Sequence, residues 1–101
     1  MTFKLLGGVR DDLRAARHYY DAQRPGLGRE FGSEVRRLIG QIMESPMAGA
    51  PWPDVAPELG VRCRLLQRFP FALAYYLDGD MVIVAAVVHT RRAPHWLGRL
   101  R

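Results

Sequence analysis

One run constrains this chain more than any other. Met81–His89 (MVIVAAVVH) is apolar at both parities until the closing histidine. A strand with one face in water alternates apolar and polar residues, and this run has no polar face to offer. It is strand-sized, far short of the ~20 apolar residues that cross a membrane. It therefore predicts a central strand covered on both faces. A chain of 101 residues, 49% of them hydrophobic, can build one core around such a strand but not two, so a single domain over residues 1–101 is expected.

The coverings are legible upstream. Over Val9–Gln23, the residues Val9, Leu13, Ala16 and Tyr20 recur as one apolar stripe, which predicts a helix. Asp11 and Asp12 fall in its first turn, where negative charge favours the helix N-terminus. Arg10, Arg14, Arg17 and His18 lie off the stripe. Pro25-Gly26-Leu27-Gly28 forces a reversal. A second helix is expected over residues 28–44, with Phe31, Val35, Leu38, Ile39, Ile42 and Met43 as its apolar face. Ser45-Pro46 ends it, because proline disfavours helical backbone in the residue before it. Two helices with a short joint predict an antiparallel hairpin.

Residues 46–60 hold four prolines and two glycines and read as a long irregular segment, with Trp52 packing over a core edge. Residues 2–6 predict a first strand. Residues 61–68 alternate, which sends Val61, Cys63 and Leu65 inward and Arg62, Arg64 and Arg68 outward, away from the helices. Residues 69–77 predict the next strand, and Asp78-Gly79 a hairpin turn into the apolar run. Residues 90–101 form a basic tail with a short helix after Pro94. The expected fold is α+β, in the order β-α-α-β-β-β. A helical hairpin packs on one face of a small, mainly antiparallel twisted sheet.

Charge is unevenly placed. Residues 1–60 carry eight Lys/Arg and eight Asp/Glu, whereas residues 61–101 carry seven Arg and two Asp. The formal charge of +5 therefore belongs to the last 41 residues. Arginine stays protonated and grips phosphate and carboxylate in a fork, so this segment points to an anionic partner. Cys63 is the single cysteine, which leaves no intrachain disulfide. Three histidines and one cysteine at no ligand spacing imply no metal, and no cofactor is expected. No signal-peptide pattern opens the chain, and a cytoplasmic location without membrane contact is expected.

The runs DLRAARHYYDAQRPGLGREFGSEVRRLIGQI and VRCRLLQRFPFALAYYLDGDMVIVAAVVHTRRAPHWLGR resemble the RelE/ParE superfamily of toxins from bacterial type II toxin–antitoxin systems. The features that carry the resemblance are Pro25-Gly26-Leu27-Gly28 after a tyrosine-ended helix, Val61-Arg62, Arg68-Phe69-Pro70-Phe71, and Val88-His89-Thr90-Arg91-Arg92 with Pro94 and Trp96. It implies the same strand–helix–helix–three-strand fold and a growth-inhibiting toxin neutralised by a cognate antitoxin, in a toxin–antitoxin hetero-oligomer. Two activities are implied within the superfamily, ribosome-dependent mRNA cleavage in RelE-like members and non-catalytic inhibition of DNA gyrase in ParE-like members.

Transesterification of RNA needs a proton carrier and cations against the phosphorane charge. His89 would be the carrier, with Arg64 and Arg91 as catalytic cations and Arg62, Arg68 and Arg92 nearby. RelE-like nucleases place an arginine about where Ala72 stands here, and losing one such donor commonly costs ~10²–10³ in rate. His95 and Trp96 match their C-terminal basic and aromatic cluster only loosely. The ParE-like reading, which needs only a surface, is therefore favoured, with Arg91, Arg92, Trp96, Arg99 and Arg101 as a patch for gyrase. Arg62, Arg64, Arg68, Arg91, Arg92 and Trp96 are the expected target- or antitoxin-binding set. An acidic amphipathic antitoxin segment would suit it. A third class, a non-toxic nucleic-acid-binding module, would use the same basic face on phosphates.

Overall fold

The computed structural model describes residues 1–53, 55–92 and 94–100. Five strands and two α-helices follow in order: β1 Thr2–Leu5, α1 Val9–Gln23, α2 Leu27–Glu44, β2 Ala50–Pro51, β3 Arg62–Leu65, β4 Phe71–Asp78 and β5 Met81–His89. Short 3₁₀ turns lie at Pro57–Leu59 and Leu97–Leu100. The sheet order is β1-β5-β4-β3-β2. β1 pairs parallel with β5, and the other three pairings are antiparallel.

β5 is an interior strand between β1 and β4, covered on both faces as its composition requires. Val82 to Val88 are all buried. Toward the helices, Val82, Val84 and Val87 join Leu73 and Tyr75 of β4 and Phe31, Val35, Leu38 and Ile42 of α2. On the opposite face Ala74, Ala85, Ala86 and Val88 form a second cluster with Val61 and Trp96, and Trp52, Val55 and Leu100 pack against it. Trp52 and Trp96 meet edge to face at 5.0 Å. The irregular segment and the C-terminal tail thus cover the face that the helices leave bare.

A bulge makes this two-sidedness possible. Tyr75 opposes Val84 while Ala74 opposes Ala86, so Ala85 is the extra residue on β5. Past it the parity shifts, and Val87 and His89 face the helices alongside Val84.

The hairpin closes where α2 crosses the backbone of α1. A side chain on Gly28 would meet the Arg17 carbonyl oxygen at 2.5 Å, so only glycine fits there. The Gly28 N–H donates to Asp21 Oδ1 at 2.8 Å, an anchor for the first turn of α2.

Several expectations change. Residues 46–60 are not wholly irregular, because Ala50–Pro51 pairs with Cys63 and Arg62 as an edge strand, the place where a sheet tolerates proline. β3 stops at Leu65 rather than 68. The buried Glu34 carboxylate captures the Gln67 and Arg68 backbone N–H groups, and Pro70 has none to give, so the β3–β4 ladder ends at the Leu66 N–H to Phe71 O bond. The parity of β3 is also the reverse of that expected. Arg62 and Arg64 oppose Tyr75 and Leu73, which face the helices, while Cys63 and Leu65 oppose Ala74 and Ala72 on the other face. A residue's parity on an edge strand says which residues share a side, but not which side the helices occupy.

β1 ends early, and Leu6 N–H makes the last bond to β5, at Val84 O. Beyond that point an ion pair takes its lane. Arg99 donates to both carboxylate oxygens of Asp12 (2.7 and 2.9 Å) and to Ala85 O (3.0 Å). Asp12 Oδ2 also accepts the Val87 N–H at 3.2 Å. The pair ties the C-terminal turn, the start of α1 and β5 together. Gly8, at φ +97, admits the guanidinium, because a Cβ there would lie 2.7 Å from it.

Candidate functional site

The end of β5 is where chemistry-bearing residues gather. β5 ends at the partly buried His89, which opposes Phe71, and the two rings meet edge to face at 5.5 Å. The chain then turns, with Arg92 N–H donating to His89 O. In the same turn His89 Nδ1 accepts the Arg91 backbone N–H at 3.1 Å. Arg91 and Arg92 are exposed, and neither side chain forms an ion pair among the described residues.

Two concavities meet at this corner. A groove of about 650 Å³ runs between α1 and the ends of β4 and β5. Its floor is Ala16, Tyr20, Phe71 and Val87, its wall Ala15 and Tyr19, and its ends Asp11 with Asp12 and His89 with Arg92. Tyr19 is 60% exposed, while burial pushes the Tyr20 phenol above its ordinary pKa. A smaller cleft of about 220 Å³ opens on the opposite face, lined by Trp52, Cys63, Leu65, Ala72, His89 and Arg92 among others. Burial pushes the Cys63 thiol up, away from the reactive thiolate. His89 and Arg92 are the residues common to both.

A family model described as the ParE toxin of the type II toxin–antitoxin system parDE matches residues 4–94. The chain belongs to the ParE toxin family. Among solved structures, a chromosomal ParDE toxin–antitoxin system from P. aeruginosa is similar at 21% identity, covering 88% of this chain and 95% of that one with a TM-score of 0.74. No curated protein matches. The strand order and the helical hairpin over the sheet are those expected of a ParE-like α+β fold.

In this ParE-family chain the residues singled out from the sequence separate into two groups. Arg91, Arg92 and His89 stay together at the corner. The others hold the fold. Arg62 donates to Met47 O (3.2 Å) and Gly49 O (2.7 Å), which pins the segment before β2. Arg64 donates to Gln41 Oε1 of α2 at 3.2 Å. Arg68 binds Glu30 at 2.6 Å and holds its carboxyl below the usual range, with Arg24 assisting at 3.1 Å. Trp96, 1% exposed, is the anchor of the second core and not a surface ring. Arg99 is the Asp12 clamp and not part of an open patch. Arg101 lies outside the described residues.

Reading the sequence alone missed the groove, the Asp12–Arg99 clamp and Glu34. The clamp joins residues 87 positions apart, a separation that no local pattern signals. The exposed Tyr19 beside the buried Tyr20 was the one available hint of the groove.

Proposed function

We propose that this ParE-family chain is a growth-arresting toxin, held silent by a cognate antitoxin, that blocks DNA gyrase without catalysing a reaction. One observation carries the reading: Arg64, one of the cations that RNA cleavage would need, stands apart from His89 and Arg91. β4 lies between Arg64 on β3 and His89 on β5, which sets the two strands about 9–10 Å apart. Arg64 opposes Leu73 and reaches toward Gln41, whereas His89 opposes Phe71. Ala72 of β4, on the opposite face, has no charge to offer a phosphorane.

The same corner suits docking. An acidic amphipathic antitoxin segment fits the groove, with its apolar side on Phe71, Val87 and Tyr19 and its carboxylates on Arg91 and Arg92. The corner that this segment covers is then the surface that gyrase needs, which makes neutralisation a competition for one place.

The test pairs two assays. Purified toxin inhibits gyrase supercoiling, and primer extension on translating ribosomes shows no new mRNA ends. Arg91→Ala with Arg92→Ala weakens both gyrase inhibition and antitoxin binding at least tenfold. Defined mRNA cuts, together with unimpaired supercoiling, would instead establish the RelE-like endoribonuclease.

A further inference from the structure

The first 60 residues are neutral by count, but their charges are sorted by side. Four of the six acids of the hairpin are engaged in holding the fold, and Asp11 and Glu44 remain exposed. Asp12 faces the sheet under Arg99, Asp21 receives the Gly28 N–H, Glu30 takes Arg24 and Arg68, and Glu34 is buried. The arginines are left outside. Arg10, Arg17, Arg29 and Arg36 are exposed and form no ion pair among the described residues. Arg14 pairs with Asp11, but at 77% and 80% exposure that pair holds little energy.

These side chains share one surface. Arg10, Arg14 and Arg17 stand at i, i+4 and i+7, one stripe along α1. Arg29 and Arg36 are two turns apart on the same side of α2. The helices meet at Gly28 and Gly32, where the Arg17 guanidinium lies 3.5–3.6 Å from the position of a Gly32 Cβ. The two rows are therefore adjacent, separated by an interhelical distance of about 8–10 Å.

We propose that the outer surface of the α1–α2 hairpin binds the phosphate backbone of duplex DNA. The surface offers no apolar anchor of the kind a protein interface is built around. Of the large exposed apolar side chains, none belongs to α2 or to the arginine stripe of α1. A single exposed ring, the His18 imidazole one turn from Arg14, lies in line with the arginines and no Phe, Tyr or Trp joins it, so the surface lacks the extended stacking platform of a single-strand binder. Two cationic rows about 8–10 Å apart can reach the phosphates that border a B-form major groove about 12 Å wide, which the deep, narrow A-form groove does not offer. No Asn or Gln lies on either row, so the surface offers no bidentate contact to adenine. This surface is distinct from the His89 corner and does not depend on which target the toxin has.

The experiment is fluorescence anisotropy of a labelled 20-base-pair DNA duplex, titrated with the full chain at several salt concentrations. Four phosphate contacts give a slope of log affinity on log salt of about −3.6, or roughly a 150-fold loss between 50 and 200 mM. Each of Arg10→Gln, Arg17→Gln, Arg29→Gln and Arg36→Gln lowers the slope by about 0.9, and the quadruple variant nearly abolishes it. The quadruple variant keeps its melting temperature, because these side chains hold nothing together. Arg91→Gln with Arg92→Gln changes the slope by less than one. The proposal is overturned by absence of binding at 50 mM salt, or by an unchanged slope in the single variants. Tighter binding of an RNA duplex, or displacement of the DNA by poly-glutamate of equal charge, overturns it as well.

Discussion

Replacing Arg99 with methionine removes three hydrogen bonds while keeping most of the side-chain volume. Two of them reach the Asp12 carboxylate and one reaches Ala85 O. The Asp12 side chain is only 10% exposed, so its charge is left with little water and one remaining donor, the Val87 N–H. Breaking a buried pair by deleting one partner costs about 3–5 kcal/mol. The Arg99 side chain is 20% exposed, and the water that reaches it brings this pair to or just below the bottom of that range, at about 2–3 kcal/mol. For a domain of this size that corresponds to roughly 10–20 °C in melting temperature. Asp12→Ala should cost a similar amount, since it strands the guanidinium. The double variant should cost much less than the sum, with a coupling of about 2 kcal/mol. Thermal unfolding by circular dichroism on the four proteins measures this cycle. Additivity within about 0.5 kcal/mol would refute the clamp, because independent contributions mean that the two groups do not hold each other.

Three further outcomes follow from local geometry. Tyr75→Phe deletes a hydroxyl that donates to Pro46 O at 2.7 Å and accepts the Gly49 N–H at 3.2 Å; equilibrium denaturation should show a loss of about 1–3 kcal/mol. Cys63 should react with a thiol reagent at pH 8 several-fold more slowly than free cysteine, and denaturant should erase the difference, because burial raises its pKa. The buried Tyr20 phenol also has a raised pKa, so the folded state holds its proton longer than the unfolded chain does. Its contribution is fully present below the unfolded tyrosine value of about 10 and is lost as pH rises beyond it. The melting temperature should therefore fall more steeply above pH 10 in the parent than in Tyr20→Phe.

Periodic elements were legible before any coordinates. The stripe Val9, Leu13, Ala16, Tyr20 specifies α1, and the two-sided apolar run specifies a central strand, because both patterns follow directly from burial. The proline-rich segment hid β2, since two residues of edge pairing leave no period to detect. The side of the sheet to which Arg62 and Arg64 project was read the wrong way round. Strand alternation carries no sign, and only packing against α2 supplies one. The charge count carries no geometry for a related reason. Counting along the chain places the cations in the C-terminal part, yet Arg62, Arg64, Arg68 and Arg99 have partners within the fold, while Arg91 and Arg92 are exposed together with arginines from the neutral half. At the candidate site, His89, Arg91 and Arg92 were identifiable as neighbours in sequence. The groove beside them was not, because it exists only where α1 stands off the ends of β4 and β5.

The extra residue at Ala85 acts as a phase switch for everything after it. Straightening the strand so that this alanine takes a place in the ladder would rotate Val87 and His89 to the tryptophan-covered side and turn Val88 toward α1. The imidazole would leave the groove without any change to its own identity or to its immediate neighbours in sequence. An alignment of related toxins that slides one position here would therefore compare histidines on opposite sides of the sheet, and a shared letter would stand for different chemistry.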